Sequence, residues 1–170
     1  EELESIKDKL RIKKHNEDDK KVWFHLNEED KKKFEEKIMI KLKDKINNLK
    51  RYYNSDVNFA NMRMYRIINA EKTEKEIYAD RFHQDGYLLT YIKIHINMMD
   101  ISLNDGPMNI IPMKHKRKFF KEANYADRHN YDYSYKNDNI IYKNTGKYGD
   151  CFLFSSPQCL HKAEIPSNFR

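Results

Sequence analysis

The sequence predicts an α+β fold, helices first and strands after, with the strands forming an antiparallel sheet closed as a sandwich or barrel. Three observations carry this. Apolar residues recur at helical spacing through the first third of the chain, and from Asp56 onward they alternate or fall in short runs between turn residues. The chain has 170 residues, of which 13% are aromatic, more than a disordered chain carries. No apolar run approaches the ~20 residues of a membrane span, so a soluble protein is expected.

Residues 1–55 read as a helical region packed on the core. Glu1 to Lys50 hold 15 basic and 13 acidic residues, so the stretch is mixed in sign. Asn27, followed by Glu28, Glu29 and Asp30, has the form of a helix N-cap with acidic residues in the first turn. Phe34, Ile38, Leu42, Ile46, Leu49 and Tyr53 then make one apolar stripe on a helix of about six turns. Leu3, Ile6 and Leu10 suggest a shorter helix before it.

Residues 56–170 read as the β core. Val57, Phe59, Met62, Met64 and Ile67 sit at strand-like intervals, and a polar loop, Asn69 to Glu76, follows. Tyr91 to Ser102 is the clearest strand, with Ile92, Ile94, Ile96 and Met98 alternating against Tyr91, Lys93, His95 and Asn97. Asn104-Asp105-Gly106-Pro107 is a turn into a strand over Met108 to Pro112. The basic run Lys114 to Lys118 reads as a solvated loop or helix start, or as a patch for an anionic substrate group. Asn130 to Asn139, rich in Tyr and Asp, reads as a long exposed loop and a candidate lid. Tyr148-Gly149-Asp150 turns into a strand at Cys151 to Phe154, and Cys159 to Ala163 is another, ended by the turn Pro166-Ser167-Asn168.

The net charge of +6 does not imply nucleic acid as a partner, because acidic residues are interleaved almost everywhere. Two cysteines, Cys151 and Cys159, are too few for a disulfide scaffold and read as reduced core thiols of a cytoplasmic protein. Residue 1 is Glu, and the chain is expected to be a piece of a longer one.

The chemistry-bearing cluster is His83-Gln84-Asp85 with His161 far downstream and Arg170 beyond it. Two residues apart on a strand, His83 and Asp85 point to one face. A histidine on a neighbouring strand supplies a third vertex. Two imidazoles and one carboxylate with open positions opposite is the arrangement of non-haem Fe(II) oxygenases. The Pro166 turn would fold the chain back and bring Arg170 across from about Ala163, beside His161. A guanidinium there suits the far carboxylate of 2-oxoglutarate, which it can hold through two parallel charge-assisted hydrogen bonds.

Phe82-His83-Gln84-Asp85-Gly86, Met99-Asp100-Ile101-Ser102, Gly106-Pro107-Met108-Asn109-Ile110-Ile111-Pro112, His115-Lys116, Gly149-Asp150 and His161 to Arg170 together resemble the phytanoyl-CoA dioxygenase family. The resemblance covers about Val57 to Arg170. It implies a double-stranded β-helix, or jelly-roll, core with flanking N-terminal helices, binding Fe(II) and 2-oxoglutarate. Its last strand is expected to run on past Arg170. By that resemblance His83, Asp85 and His161 match the iron ligands and Arg170 matches the cosubstrate clamp. Retention of Asp85 favours hydroxylation over halogenation. Met113-Lys114-His115 departs from the Gly-Ser-His or Gly-Thr-His that often follows the family's proline. His95 falls, by register from Asp100, where the family often places a cosubstrate contact, and Arg66 is a further candidate for that cavity.

The expected function is therefore an Fe(II)- and 2-oxoglutarate-dependent dioxygenase that decarboxylates 2-oxoglutarate to succinate and hydroxylates a small molecule, with O2 as co-reactant. Its substrate and oligomeric state are not specified by these residues. The alternative is a jelly-roll binding or scaffold protein without turnover. An oxygenase acting on a protein or nucleic-acid group, held by Lys114 to Lys118, is a third reading. His15, His25, His115 and His129 are expected at the surface.

Overall fold

The computed structural model describes residues 11–14, 21–67, 81–164 and 166, without the side chains of 11–14, 21–23, 66 and 67. Helices and small antiparallel sheets are mixed, as an α+β chain requires, and no closed barrel forms among the described residues. The chain divides into two compact units, Glu1–Arg66 and Ile67–Arg170.

In the first unit, β1 (Arg11–Lys14) pairs antiparallel with β2 (Lys21–His25), and β3 (Met64–Ile67) completes the order β1-β2-β3. These strands correct the all-helical reading of the N-terminal region. Val22-Trp23-Phe24 is a β-branched and aromatic run that suits a strand, but the surrounding lysines and acids obscure it. The helix expected near Leu3 to Leu10 and the loop Asn69 to Glu76 lie outside the described residues.

Asn27 does cap a helix: its side chain accepts the Asp30 N–H at 2.8 Å, opening α1 (Glu28–Lys41). The expected six-turn helix is two helices, because Leu42 (φ −101°, ψ 14°) interrupts it before α2 (Lys43–Tyr53). The apolar stripe survives the break, with Phe34 and Ile46 both buried. Asn54 ends α2 in the left-handed region at φ 48°, a conformation asparagine tolerates. Of the expected strand between Val57 and Ile67, only Met64–Ile67 pairs.

In the second unit, β4 (Lys93–Ile96) pairs antiparallel with β7 (Cys151–Phe154), so only the middle of the expected Tyr91–Ser102 strand is laddered. A second sheet has the order β6-β5-β8, from β6 (Tyr142–Lys143), β5 (Met108–Ile111) and β8 (Leu160–Ala163). The expected turn before β5 is a short 3₁₀ helix, Leu103–Asp105, closed by reciprocal Ser102–Asp105 capping. Gly106 follows at φ +66°, where a Cβ would run into the backbone of Glu164 and Pro166. Gly149 turns the chain into β7 at φ 85°.

The run Lys114 to Lys118 forms the first half of α3 (Met113–Glu122), which agrees with its reading as a helix start. Its apolar side carries Phe119, fully buried in a cluster with Phe82, Ile111, Ala123, Ile140, Ile141 and Leu160. The Asn130 to Asn139 stretch is irregular, as expected, but it is stitched down. Tyr131 and Tyr135 pack on that cluster, Asp132 N–H bonds the Ala123 carbonyl, and the Tyr135 hydroxyl bonds Glu122 at 2.6 Å. The cysteines are not core residues: Cys151 is exposed and Cys159 half-buried. His25 and His129 are exposed, His115 is half-buried, and His15 lies outside the described residues. No helix among the described residues is long and apolar enough to cross a membrane.

Candidate metal centre

Alternation along β8 sends neighbouring side chains in opposite directions. Leu160 enters the apolar cluster, and His161, next in the chain, faces the other side. There His161 is flanked by β5, where it pairs with Ile110, and by a bridge to His83. That bridge is closed by two backbone bonds, His83 N–H to the His161 carbonyl at 3.1 Å and His161 N–H to the His83 carbonyl at 2.9 Å. Two residues on, Asp85 N–H bonds the Ser156 carbonyl at 3.1 Å. The segment is thus laid extended along β8 and the turn before it, and both side chains project to one side.

The result is convergence. Ligand-type atoms of His83, Asp85 and His161 all lie within 4.8 Å of one another. His83 Nε2 is 4.0 Å from Asp85 Oδ1, and His161 Nε2 is 3.6 Å from Asp85 Oδ2. The imidazole rings are 4.4 Å apart. His83 Nδ1 donates to the Arg81 carbonyl at 2.7 Å, which leaves Nε2 with its lone pair toward the cluster. Burial lowers the pKa of His83, with Arg128 and Lys93 acting the same way against the Arg81 carbonyl and Asp85. Burial, then the charges of His83 and Lys93, lowers that of His161 to about 4. Both rings are consequently neutral at pH 7, the state that ligates a metal. For Asp85, burial works upward, but the Lys93 hydrogen bond, the Ser156 hydroxyl and the charges of Lys93 and His161 outweigh it and hold the carboxyl below its usual range. Two neutral nitrogens and one carboxylate oxygen form a donor set that fits a first-row divalent cation.

The support behind this cluster is aromatic. Phe82, adjacent to His83, is buried against Phe119 with ring centroids 5.2 Å apart. Its backbone is clasped on both sides: Phe82 N–H donates to the Tyr131 hydroxyl at 3.1 Å, and the Tyr125 hydroxyl donates to the Phe82 carbonyl at 3.0 Å. Gln84, between the two N-terminal members, is held by the Pro157 carbonyl at 2.5 Å and by Lys116 at 3.1 Å. Sequence reasoning missed the tyrosines, because their partners are backbone groups more than forty residues away.

Facing the cluster from β4 is a polar strip. Lys93 Nζ lies 2.5 Å from Asp85 Oδ2, a contact that residue spacing did not reveal. His95, two residues further, is near the Asn144 amide at 3.4 Å and packs tilted against Phe152 with ring centroids 5.1 Å apart. Asn144 also donates to the buried Asn97 at 3.1 Å. A run of ring contacts, His95–Phe152 at 5.1 Å, Phe152–Phe154 at 5.5 Å and Phe154–His161 at 5.3 Å, joins His95 to the cluster. Burial, aided by Lys93, lowers the His95 pKa to about 4. The polar side of β4 therefore faces inward, the reverse of the usual pattern for a half-exposed strand.

Of the other residues singled out from the sequence, Arg170 lies outside the described residues. Arg66 has its backbone in β3 of the first unit, and its side chain is not among those described.

Comparison with known proteins gives one result. No curated protein and no solved structure matches the chain. The family described as phytanoyl-CoA dioxygenase matches over residues 1–165, a span that takes in the N-terminal region where the quoted motifs do not reach. With that match across nearly the whole chain, and with two histidines and an aspartate meeting where the quoted motifs lie, the chain belongs to the phytanoyl-CoA dioxygenase family.

Proposed function

We propose that this protein is an Fe(II)- and 2-oxoglutarate-dependent dioxygenase, a hydroxylase, with His83, Asp85 and His161 as the iron ligands. The observation that carries the reading is the meeting of three metal-competent side chains from distant parts of the chain within 4.8 Å, in a chain whose family implies that chemistry. When bound, the iron and 2-oxoglutarate supply oxygen activation, with succinate and CO2 formed from the cosubstrate.

The chain's own residues bind, orient and exclude water. The Arg81 carbonyl fixes the His83 tautomer, and the Tyr131 and Tyr125 hydroxyls hold the N–H and the carbonyl of Phe82, the residue before His83. Phe154, edge-on to His161 at 5.3 Å, and Phe152 give the site a dry wall. In this reading the β4-β7 and β6-β5-β8 sheets are the two halves of a jelly roll. Arg170 holds the distal carboxylate of 2-oxoglutarate and His95 lines the same cavity. Retention of a carboxylate at Asp85 supports hydroxylation as the outcome. The substrate is a small molecule.

The test is succinate formation from 2-oxoglutarate with Fe(II) and O2. The expected result is succinate from the wild type and none above background from His161→Ala. Full turnover in His161→Ala would overturn the ligand assignment. A wild type that binds metal yet makes no succinate with any substrate class would leave a binding protein in place of an enzyme.

A further inference from the structure

Lys93 is the feature of the cluster that the ligand assignment does not use. Its ammonium lies 2.5 Å from Asp85 Oδ2, with the side chains 34% and 17% exposed, so the pair is only partly screened by water. The strand register explains why it sits there. Lys93 pairs with Phe154, and Phe154 packs on His161, so β4 delivers the ammonium to the mouth of the same group of ligands.

Charge counting gives the consequence. With neutral imidazoles, Asp85 and Lys93 cancel and the cluster is neutral. A divalent cation bound there alone leaves two uncompensated positive charges, one more than if Lys93 were uncharged. A chelating dicarboxylate removes both. At close range and low effective dielectric, that difference is felt as a difference in affinity.

We infer that Lys93 is a charge-coupling residue: it opposes a divalent cation at His83, Asp85 and His161 on its own, and favours that cation together with an anionic chelating co-ligand. The inference rests on the metal-site reading above. By linkage, the same residue makes the anion's affinity depend on the metal by an equal factor.

The test is titration of Mn(II), a stand-in that does not oxidise, into wild type, Lys93→Met, Lys93→Gln and Lys93→Arg. Each is measured by calorimetry with and without saturating 2-oxoglutarate, and each variant is first checked for wild-type circular dichroism. The expectation for Met and Gln is Mn(II) affinity alone raised about tenfold, with the tightening by 2-oxoglutarate reduced by about the same factor. Lys93→Arg should keep the wild-type ratio. A neutral variant with unchanged affinity and unchanged ratio overturns the coupling. So does one that binds Mn(II) alone more weakly, since Lys93 would then be holding Asp85 in place. A wild type that binds no Mn(II) under either condition fails earlier, at the metal site itself, and is thereby distinguished from failure of the coupling.

Discussion

The two faces of the β5–β8 pair are built on opposite principles from adjacent residues. On one face Leu160 and Ile111 join Phe82, Phe119 and four tyrosine and phenylalanine neighbours in a hydrocarbon cluster whose tyrosine hydroxyls find partners such as the Phe82 backbone and Glu122. On the other, His161 meets His83, Asp85 and Lys93, and the polar strip of β4 continues inward to Asn97, whose buried Nδ2 has no partner in hydrogen-bonding geometry. Burial without partners costs stability, so the second face is a place where the fold gives up stability. The first face supplies what the second spends, and the one-residue step from Leu160 to His161 joins them.

Mutations can break this division. The largest expected effect is on the apolar face: Phe119→Ala should destabilise by about 3–5 kcal/mol, read as a shift of the urea midpoint, because Phe119 is fully buried. His161→Ala should do the reverse. Its cost in Mn(II) affinity should exceed about 100-fold, while the urea midpoint moves little, since one neutral buried imidazole is removed without breaking the apolar cluster. If His161→Ala instead unfolds the protein, the division between the faces is wrong.

The pH dependence sharpens the same contrast. His95 has a folded pKa of about 4 against an ordinary 6.5. Between those values the unfolded chain takes up a proton that the folded chain refuses, so the stability held above pH 6.5 is lost as pH falls toward 4. From pH 6.5 to 5 this single group contributes about 2 kcal/mol of loss. His95→Asn should lower the slope in that window without abolishing it, since His161 is shifted the same way, and an unchanged slope would remove His95 from the buried polar strip. The smallest effect is expected at the hinge between the faces. Tyr131→Phe removes one hydrogen bond to Phe82 N–H and should cost about 1 kcal/mol, with a measurable weakening of Mn(II) binding despite the distance in sequence.

Some of this was legible in the residues and some was not, for identifiable reasons. That His83, Asp85 and His161 come together could be read because period-two spacing and family motifs place them without knowledge of the sheet register. That Tyr91, Lys93, His95 and Asn97 share one side of β4 was legible from alternation, but that this side turns inward was hinted only by the family register at His95. Lys93 as partner of Asp85 was not, since it is one of 33 basic residues and only the β4–β7 register brings it to the cluster. The strands β1 and β2 were hidden by lysine-rich surroundings, where charge suggested helix. The stretch Asn130 to Asn139 looked free because it has no period, yet Tyr131 and Tyr135 anchor it through long-range bonds that no local pattern encodes.

The clasp of two tyrosine hydroxyls on Phe82 ties the apolar cluster mechanically to the polar one. His83 hangs from the next peptide, so any repacking around Phe119 is passed to a candidate ligand one bond away. Tyr125 and Tyr131 are thus the two side chains through which a change in the aromatic cluster reaches the backbone beside His83.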